Sequence, residues 1–239
     1  MLLWLVSLIA VAMVIPYLLE YLEGLVDPSL IPVSKSVFIL TTILQACIFT
    51  GLSLLAGRWF ASRMNYVVFP EFERRYFYSS LILGLLTGLI LLGVDYVFHT
   101  GGIIPTFFSI NPPAIWKSLL ACFYGGIVEE ILMRLFLVSM LAYIINLVAG
   151  RKSGNRKERA GIFASMIVAG IFGLAHIPVM GMITELTPAI ITRVIILNST
   201  GGIIYGYLYI RRGLLYAMVA HFTADIVLQV IFPLIYFRP

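Results

Sequence analysis

Three charged residues lie inside one of the longest apolar stretches of the chain, GGIVEEILMRLF at residues 125–136. Glu130 and Arg134 are four residues apart, so in a helix they share a face and can form an ion pair. Glu129 points about 100° away from Glu130 in an α-helix and has no local partner. Ionisable groups at such depth usually mark functional sites. We therefore expect chemistry from Glu129, with a buried packing network of all three charges as the alternative.

Two further apolar stretches carry a histidine at helical spacing from a second residue. In GIFGLAHIP, residues 170–178, Phe172 and His176 are four apart. In AHFTADI, residues 220–226, His221 and Asp225 are four apart. A carboxylate can orient an imidazole or pair with its protonated form. Each pair taken alone is also compatible with a satisfied core histidine or a polar contact between helices.

The three stretches are expected to converge, because polar groups in a membrane protein face the bundle interior rather than the lipid chains. A carboxylate, two imidazoles and a second acid around one polar cavity are the parts of a water-activating hydrolytic site. The same groups also suit a proton relay or a metal site. In the metal alternative, zinc would be bound by Glu129, His176 and His221, with water as the fourth ligand.

The elements that must position these residues are membrane-spanning helices. Of the 239 residues, 61% are hydrophobic and only 11% are charged, whereas soluble domains have about 25% charged residues. A spanning helix needs about 20 mostly apolar residues. Candidate spans lie at about 2–19, 37–57, 79–98, 115–149, 161–177, 190–210 and 214–235. The predicted fold is an all-α, polytopic bundle of seven transmembrane helices around a polar intramembrane cavity.

The apolar run at 115–149 is longer than one span requires, because a straight α-helix of that length would extend about 52 Å. A tilt, a break near Gly125–Gly126 or an extension beyond the membrane would absorb the excess. Residues 100–113 contain TGGIIPTFFSINPP, which is also compatible with a short re-entrant segment. Eight spans are therefore the alternative.

The basic residues predict the orientation of the bundle. Lys and Arg cluster at 58–78, at 150–160 and directly after 210, and such clusters mark cytoplasmic loops. Seven spans with a cytoplasmic amino terminus place all three clusters on that side. The net charge of +5 is thus interpreted as a topology signal, not as a nucleic-acid surface. We predict an integral, multi-pass protein, and its short loops favour a prokaryotic plasma membrane.

Four other residues in apolar segments are interpreted as structural rather than catalytic. Asp95 is interpreted as interfacial, near the outer end of its span, and Arg193 as snorkelling to the surface from a helix start. Cys47 and Cys122 lack the spacing of a disulfide or metal pair and are interpreted as small buried hydrophobes.

The motifs also carry a family resemblance. EEILMR, FGLAH and HFTAD match an ordered set of EExxxR, FxxxH and HxxxN/D motifs, each in a separate apolar segment. With them the chain resembles the CAAX protease and bacteriocin-processing family of intramembrane proteases, which includes the type II CAAX prenyl endopeptidase. The resemblance covers about 115–230. It implies a catalytic core at 115–239 and, at 1–114, amino-terminal helices without a recognised motif.

The resemblance implies hydrolysis of a peptide bond near the carboxyl terminus of a membrane-anchored or lipidated substrate, which includes prenylated CAAX proteins. Glu129 and His176 would hold and deprotonate the attacking water, while His221 and Asp225 would stabilise the oxyanion. No cofactor is implied. The alternatives are a zinc-dependent protease of the same family and a non-catalytic membrane scaffold or immunity protein.

The resemblance gives the remaining motif residues supporting roles, and one position departs from the prenyl endopeptidase branch. Glu130, Arg134 and Phe172 would be structural or would orient the substrate. Asp225 stands where that branch has Asn, and an ionised Asp cannot donate a hydrogen bond. Asp225 is therefore either protonated or orients His221.

Overall fold

A computed structural model describes residues 1–25, 34–150 and 155–237. No β-strand occurs among these residues, which confirms the all-α prediction. The helices are α1 Leu2–Leu25, α2 Lys35–Met64, α3 Arg74–Thr100, α4 Ile115–Val148, α5 Asn155–Ala175, α6 Ile177–Gly181, α7 Pro188–Arg212 and α8 Leu214–Tyr236.

Within the described ranges, seven helical stretches are long and apolar enough to cross a membrane. They are α1 to α4, α5 together with the short α6, α7 and α8. The segment from Gly101 to Ala114 contains no helix, so no eighth helical span occurs among the described residues, and a re-entrant course of residues 100–113 stays a prediction. The count of seven spans is confirmed, and the chain is a multi-pass membrane protein.

Helix α4 accommodates its length without a break. Its middle consists of two π-helical segments, Tyr124–Glu129 and Ile131–Val138, between α-helical ends. π-helical turns widen a helix locally and are frequent at functional sites. The first segment includes Gly126, where a Cβ atom would lie 2.8 Å from Phe222 Cβ of α8. A glycine is therefore needed at the point where α8 packs closest to α4.

The basic loops lie together at one end of the bundle. Lys157 Nζ donates a hydrogen bond to the carbonyl oxygen of Arg63 at 2.7 Å, which joins the first basic cluster to the second. An ion pair between Glu158 and Arg211 joins the second to the third. Residues 151–154 of the middle cluster lie outside the described residues. The described contacts agree with a bundle in which all three clusters share a membrane face.

Asp95 and Arg193 are buried inside the protein and pair with each other, which corrects the interpretation of Asp95 as interfacial and of Arg193 as snorkelling to the surface. Asp95 is 0% exposed and Arg193 is 4% exposed. Arg193 Nε donates to Asp95 Oδ1 at 2.5 Å, and Asp95 Oδ2 accepts a bond from the backbone N–H of Phe107 at 2.7 Å. The partners are 98 residues apart in the chain, and their pairing satisfies both charges inside the protein. The cluster joins α3 to α7 and holds the loop before α4.

Replacement of Asp95 by alanine is expected to lower the free energy of unfolding by about 3–5 kcal/mol, because it leaves a buried arginine without a counter-ion. Thermal unfolding of the purified protein in detergent measures the loss. The double variant Asp95→Leu/Arg193→Met removes both charges and is expected to recover most of the stability. An unfolding temperature unchanged in Asp95→Ala would show that the pair does not stabilise the fold.

Candidate active site

The acidic motif of α4 is buried in the π-helical part of that helix. Glu130 is 0% exposed and Arg134 is 1% exposed, and Arg134 Nη1 lies 3.0 Å from Glu130 Oε1. The ion pair predicted from the i,i+4 spacing is therefore present. Arg134 Nη2 also donates to the carbonyl oxygen of Gly202 at 3.4 Å. Its guanidinium lies over the rings of Phe172 and Tyr205, with Cζ at 5.1 and 5.4 Å from the ring centroids.

The imidazole of His221, on α8, is held from two directions. Its Nδ1 lies 2.8 Å from Glu130 Oε1. Because a carboxylate only accepts hydrogen bonds, Nδ1 carries the hydrogen and donates it to Glu130. The ring of Tyr205 stacks on the imidazole with a centroid distance of 4.5 Å and an interplanar angle of 18°. Glu130 therefore accepts the hydrogen bond that orients His221, while Asp225 lies at the other nitrogen.

His221 Nε2 faces two carboxylates at equal distance. Glu129 Oε2 and Asp225 Oδ2 each lie 3.8 Å from it. This separation is too long for a direct hydrogen bond and suits a polar atom bridging the groups. The side chain of Glu129 is 21% exposed, compared with 14% for Asp225 and 7% for His221. Glu129 and Glu130 thus contact opposite edges of one imidazole, and Glu129 is the more accessible acid.

A glycine makes room for this arrangement. A Cβ atom on Gly125, in the first π-helical segment, would overlap with Asp225 Oδ2 and lie 3.4 Å from His221 Nε2. Any larger residue at this position would displace the aspartate from the histidine. Gly125 therefore belongs to the site as a spacer, although it carries no reactive group.

The contacts of His176 are with Phe172 and not with the carboxylates. It follows the last residue of α5, and its Nδ1 donates to the carbonyl oxygen of Phe172 at 2.8 Å. That bond places a hydrogen on Nδ1, so Nε2 is the nitrogen that can face a ligand. Among the described residues, no carboxylate oxygen lies within 4.0 Å of His176. The Phe172 ring packs on His176 at 4.7 Å and faces His221 at 6.2 Å, so it separates the two imidazoles.

We refer to Glu129, Glu130, Arg134, His221 and Asp225 as the carboxylate–histidine cluster. The structure brings these five residues into direct or near contact. His176 is linked to them through the Phe172 ring. The arrangement offers an accessible carboxylate, an oriented imidazole and a second imidazole with a free acceptor nitrogen, which together can activate water and stabilise an oxyanion.

In the described part of the chain, no group of three or more His, Cys, Asp and Glu side chains is placed to hold a metal ion. The zinc alternative at Glu129, His176 and His221 stays a prediction, which the response of activity to a chelator tests. Cys122 is buried, Cys47 is half-buried, and both are free thiols.

Sequence reasoning missed Tyr205, which contacts both His221 and Arg134. No short motif contains it, because the contact joins α7 to α4 and α8. The nearest signal is the glycine pair preceding it, since glycines allow close packing in membrane helices. A Cβ atom on Gly201 would lie 3.1 Å from the Tyr205 ring, so the absence of a side chain at this position leaves space for the ring.

Comparison with known protein families matches residues 111–227 to the family described as Type II CAAX prenyl endopeptidase Rce1-like. The matched region contains all three motifs, the whole carboxylate–histidine cluster and His176. No curated protein and no solved structure matches the chain. Helices α1 to α3 lie outside the matched region. Residues 111–227 therefore form an Rce1-like domain, of the family of CAAX-type intramembrane proteases.

Proposed function

We propose that the protein hydrolyses a peptide bond near the carboxyl terminus of a prenylated, membrane-anchored CAAX substrate, with water activated by Glu129. One observation carries this proposal. Of two adjacent glutamates, Glu130 is fully buried and paired with Arg134, whereas Glu129 is partly exposed at the open edge of His221. The charge of Glu130 is thus paired with Arg134 inside the protein, and Glu129 remains as the accessible base.

In the proposed reaction, Glu129 and Nε2 of His176 hold the attacking water. Glu129 takes a proton as the water oxygen bonds to the scissile carbonyl carbon, and the carbonyl oxygen becomes an oxyanion. The same proton then passes to the leaving amine as the C–N bond breaks. The base is regenerated, and no cofactor is needed to balance the step. General-base assistance of this kind contributes about 10²–10⁴-fold to a rate.

His221 is proposed to stabilise the oxyanion through Nε2. Its Nδ1 hydrogen is committed to Glu130, so donation from Nε2 requires the doubly protonated ring. Asp225 lies at the same nitrogen and would add a second donor only as a carboxylic acid. Preorganised donors of this kind are a major source of rate acceleration in acyl transfer.

Cleavage of a quenched fluorescent, farnesylated CAAX peptide by the purified protein in detergent tests this function. The matched control is the same peptide without the farnesyl group. We expect cleavage of the farnesylated peptide and an unchanged rate after a zinc chelator is added. Absence of cleavage of both peptides would overturn the CAAX substrate, and equal cleavage would overturn the prenyl requirement. Loss of activity with chelator would favour the zinc-dependent alternative.

The end of the bundle that carries the basic clusters is proposed to face the cytoplasm of a prokaryotic cell, with the amino terminus on that side. Lys and Arg are retained on the cytoplasmic side during membrane insertion. Contacts between the clusters, such as Lys157 with Arg63, support a common face.

A further inference from the structure

A cleft lies away from the carboxylate–histidine cluster, between the end of α4 and the start of α5. Its volume is about 300 Å³. Asn146, Arg156 and Arg159 supply its polar groups, and Ile145 and Phe163 are among its apolar walls. Because both helices are membrane spans, their adjoining ends place this cleft near the level of the lipid headgroups.

Arg156 and Arg159 have no ion-pair partner among the described residues. They are exposed and three residues apart, so they share one face of α5. Among the described residues, no carboxylate oxygen lies within 4.0 Å of either guanidinium. Their neighbours differ, since Lys157 donates to Arg63 and Glu158 pairs with Arg211. Of the described cations at 155–160, the two that line the cleft, Arg156 and Arg159, are thus the ones without an ion-pair or hydrogen-bond partner.

Asn146 is an independent indication of a ligand. The residue is only 8% exposed and lines the cleft, yet its side-chain amide has no hydrogen-bond partner among the described residues. The amide is therefore free to donate a hydrogen bond to a ligand atom in the cleft.

The cleft has the chemistry of a phospholipid site. Two guanidinium groups and an amide are suited to phosphate oxygens, which arginine binds with paired N–H donors. The aromatic ring of Phe163 is 57% exposed, and Val148 at the end of α4 is 83% exposed, so apolar surface adjoins the polar groups. Soluble phosphate would leave that surface uncovered, whereas a lipid would cover it with its acyl chains.

We propose that this cleft binds the headgroup of an anionic phospholipid. Its phosphate contacts Arg156 and Arg159, and Asn146 donates its amide hydrogens to the headgroup oxygens. The first methylene groups of an acyl chain lie against Ile145 and Phe163. Basic pockets between spans at the cytoplasmic side bind anionic lipids in this way. The site is independent of the proposed protease activity.

Native mass spectrometry of the full-length protein in detergent, with phosphatidylglycerol or phosphatidylcholine added, tests the proposal. We expect retention of phosphatidylglycerol in preference to phosphatidylcholine. The variant Arg156→Gln/Arg159→Gln is expected to bind phosphatidylglycerol about tenfold more weakly, because two charge-assisted contacts are lost. The matched control is Arg74→Gln/Arg75→Gln, which removes the same charge from exposed arginines at the start of α3.

The outcomes separate a specific site from general attraction to a basic surface. Equal weakening in both variants, no weakening in the cleft variant, or equal retention of the two lipids would overturn the proposal. Displacement of the lipid by an equal concentration of inorganic phosphate would show a phosphate site instead. Asn146→Leu provides a second test, since it is expected to weaken phosphatidylglycerol binding without lowering the unfolding temperature in lipid-free detergent. Unchanged binding in this variant would show that the Asn146 amide does not contact the lipid.

Discussion

Replacement of Glu129 by alanine is expected to lower kcat for the farnesylated peptide by about 10²–10⁴-fold, the usual contribution of a general base. The reason lies in the environment of the two adjacent acids. Glu129 is accessible and lies 3.8 Å from His221 Nε2, while Glu130 is shielded and paired with Arg134. Initial rates of peptide cleavage over a range of substrate concentrations measure the effect. We expect KM to change little, because the base acts in the transition state rather than in binding.

The matched control for this prediction is Glu23→Gln. Glu23 forms an exposed ion pair with Lys35 at 2.5 Å, far in sequence from all three motifs, and pairs of this kind contribute little to stability. Its replacement is expected to leave the rate unchanged. Full activity in Glu129→Ala would refute the assignment of the base. Retention of activity in Glu129→Gln together with its loss in Glu130→Gln would instead assign the base to Glu130.

Replacement of Glu130 by alanine is expected to lower the free energy of unfolding by about 3–5 kcal/mol, the typical cost of removing one partner from a buried ion pair. Arg134 is 1% exposed and would keep its charge without a counter-ion. His221 would also lose the acceptor of its Nδ1 hydrogen bond. Thermal unfolding in detergent, followed by intrinsic tryptophan fluorescence, measures the change.

A double variant separates the stabilising role of Glu130 from its positioning role. Glu130→Leu/Arg134→Met replaces the pair by apolar side chains and is expected to regain most of the lost stability. It is not expected to regain activity, because the imidazole of His221 lacks its orienting acceptor. Glu130→Gln keeps a carbonyl oxygen for that bond and should be more active than the double variant. Full activity in the stable double variant would show that Glu130 acts only in packing.

Local sequence spacing predicted the contacts that lie within one helix. The four-residue spacing of Glu130 and Arg134 places them on one face, and the structure contains their ion pair. The apolar run lengths predicted the seven spans. Both signals depend only on helical periodicity and on the thickness of a membrane. For the same reason, the sequence indicated that Glu129 and Glu130 point in different directions.

Contacts between helices were predicted less well. The spacing of His221 and Asp225 suggested that the aspartate orients the histidine, but His221 Nδ1 donates its hydrogen bond to Glu130, 91 residues earlier in the chain. Asp95 and Arg193 each resembled a residue near the membrane surface when considered alone, and only their mutual contact explains their burial.

The sequence by itself determined the number of spans, the ordered motifs and the ion pair within α4, because these follow from periodicity along one helix. Only the tertiary structure decided which atoms meet between helices. Close approach at Gly125 and Gly126 sets α8 against the π-helical part of α4. This packing fixes the depth and rotation of His221 relative to both glutamates. Local spacing contains no information about that rotation, since it depends on side chains contributed by several distant segments.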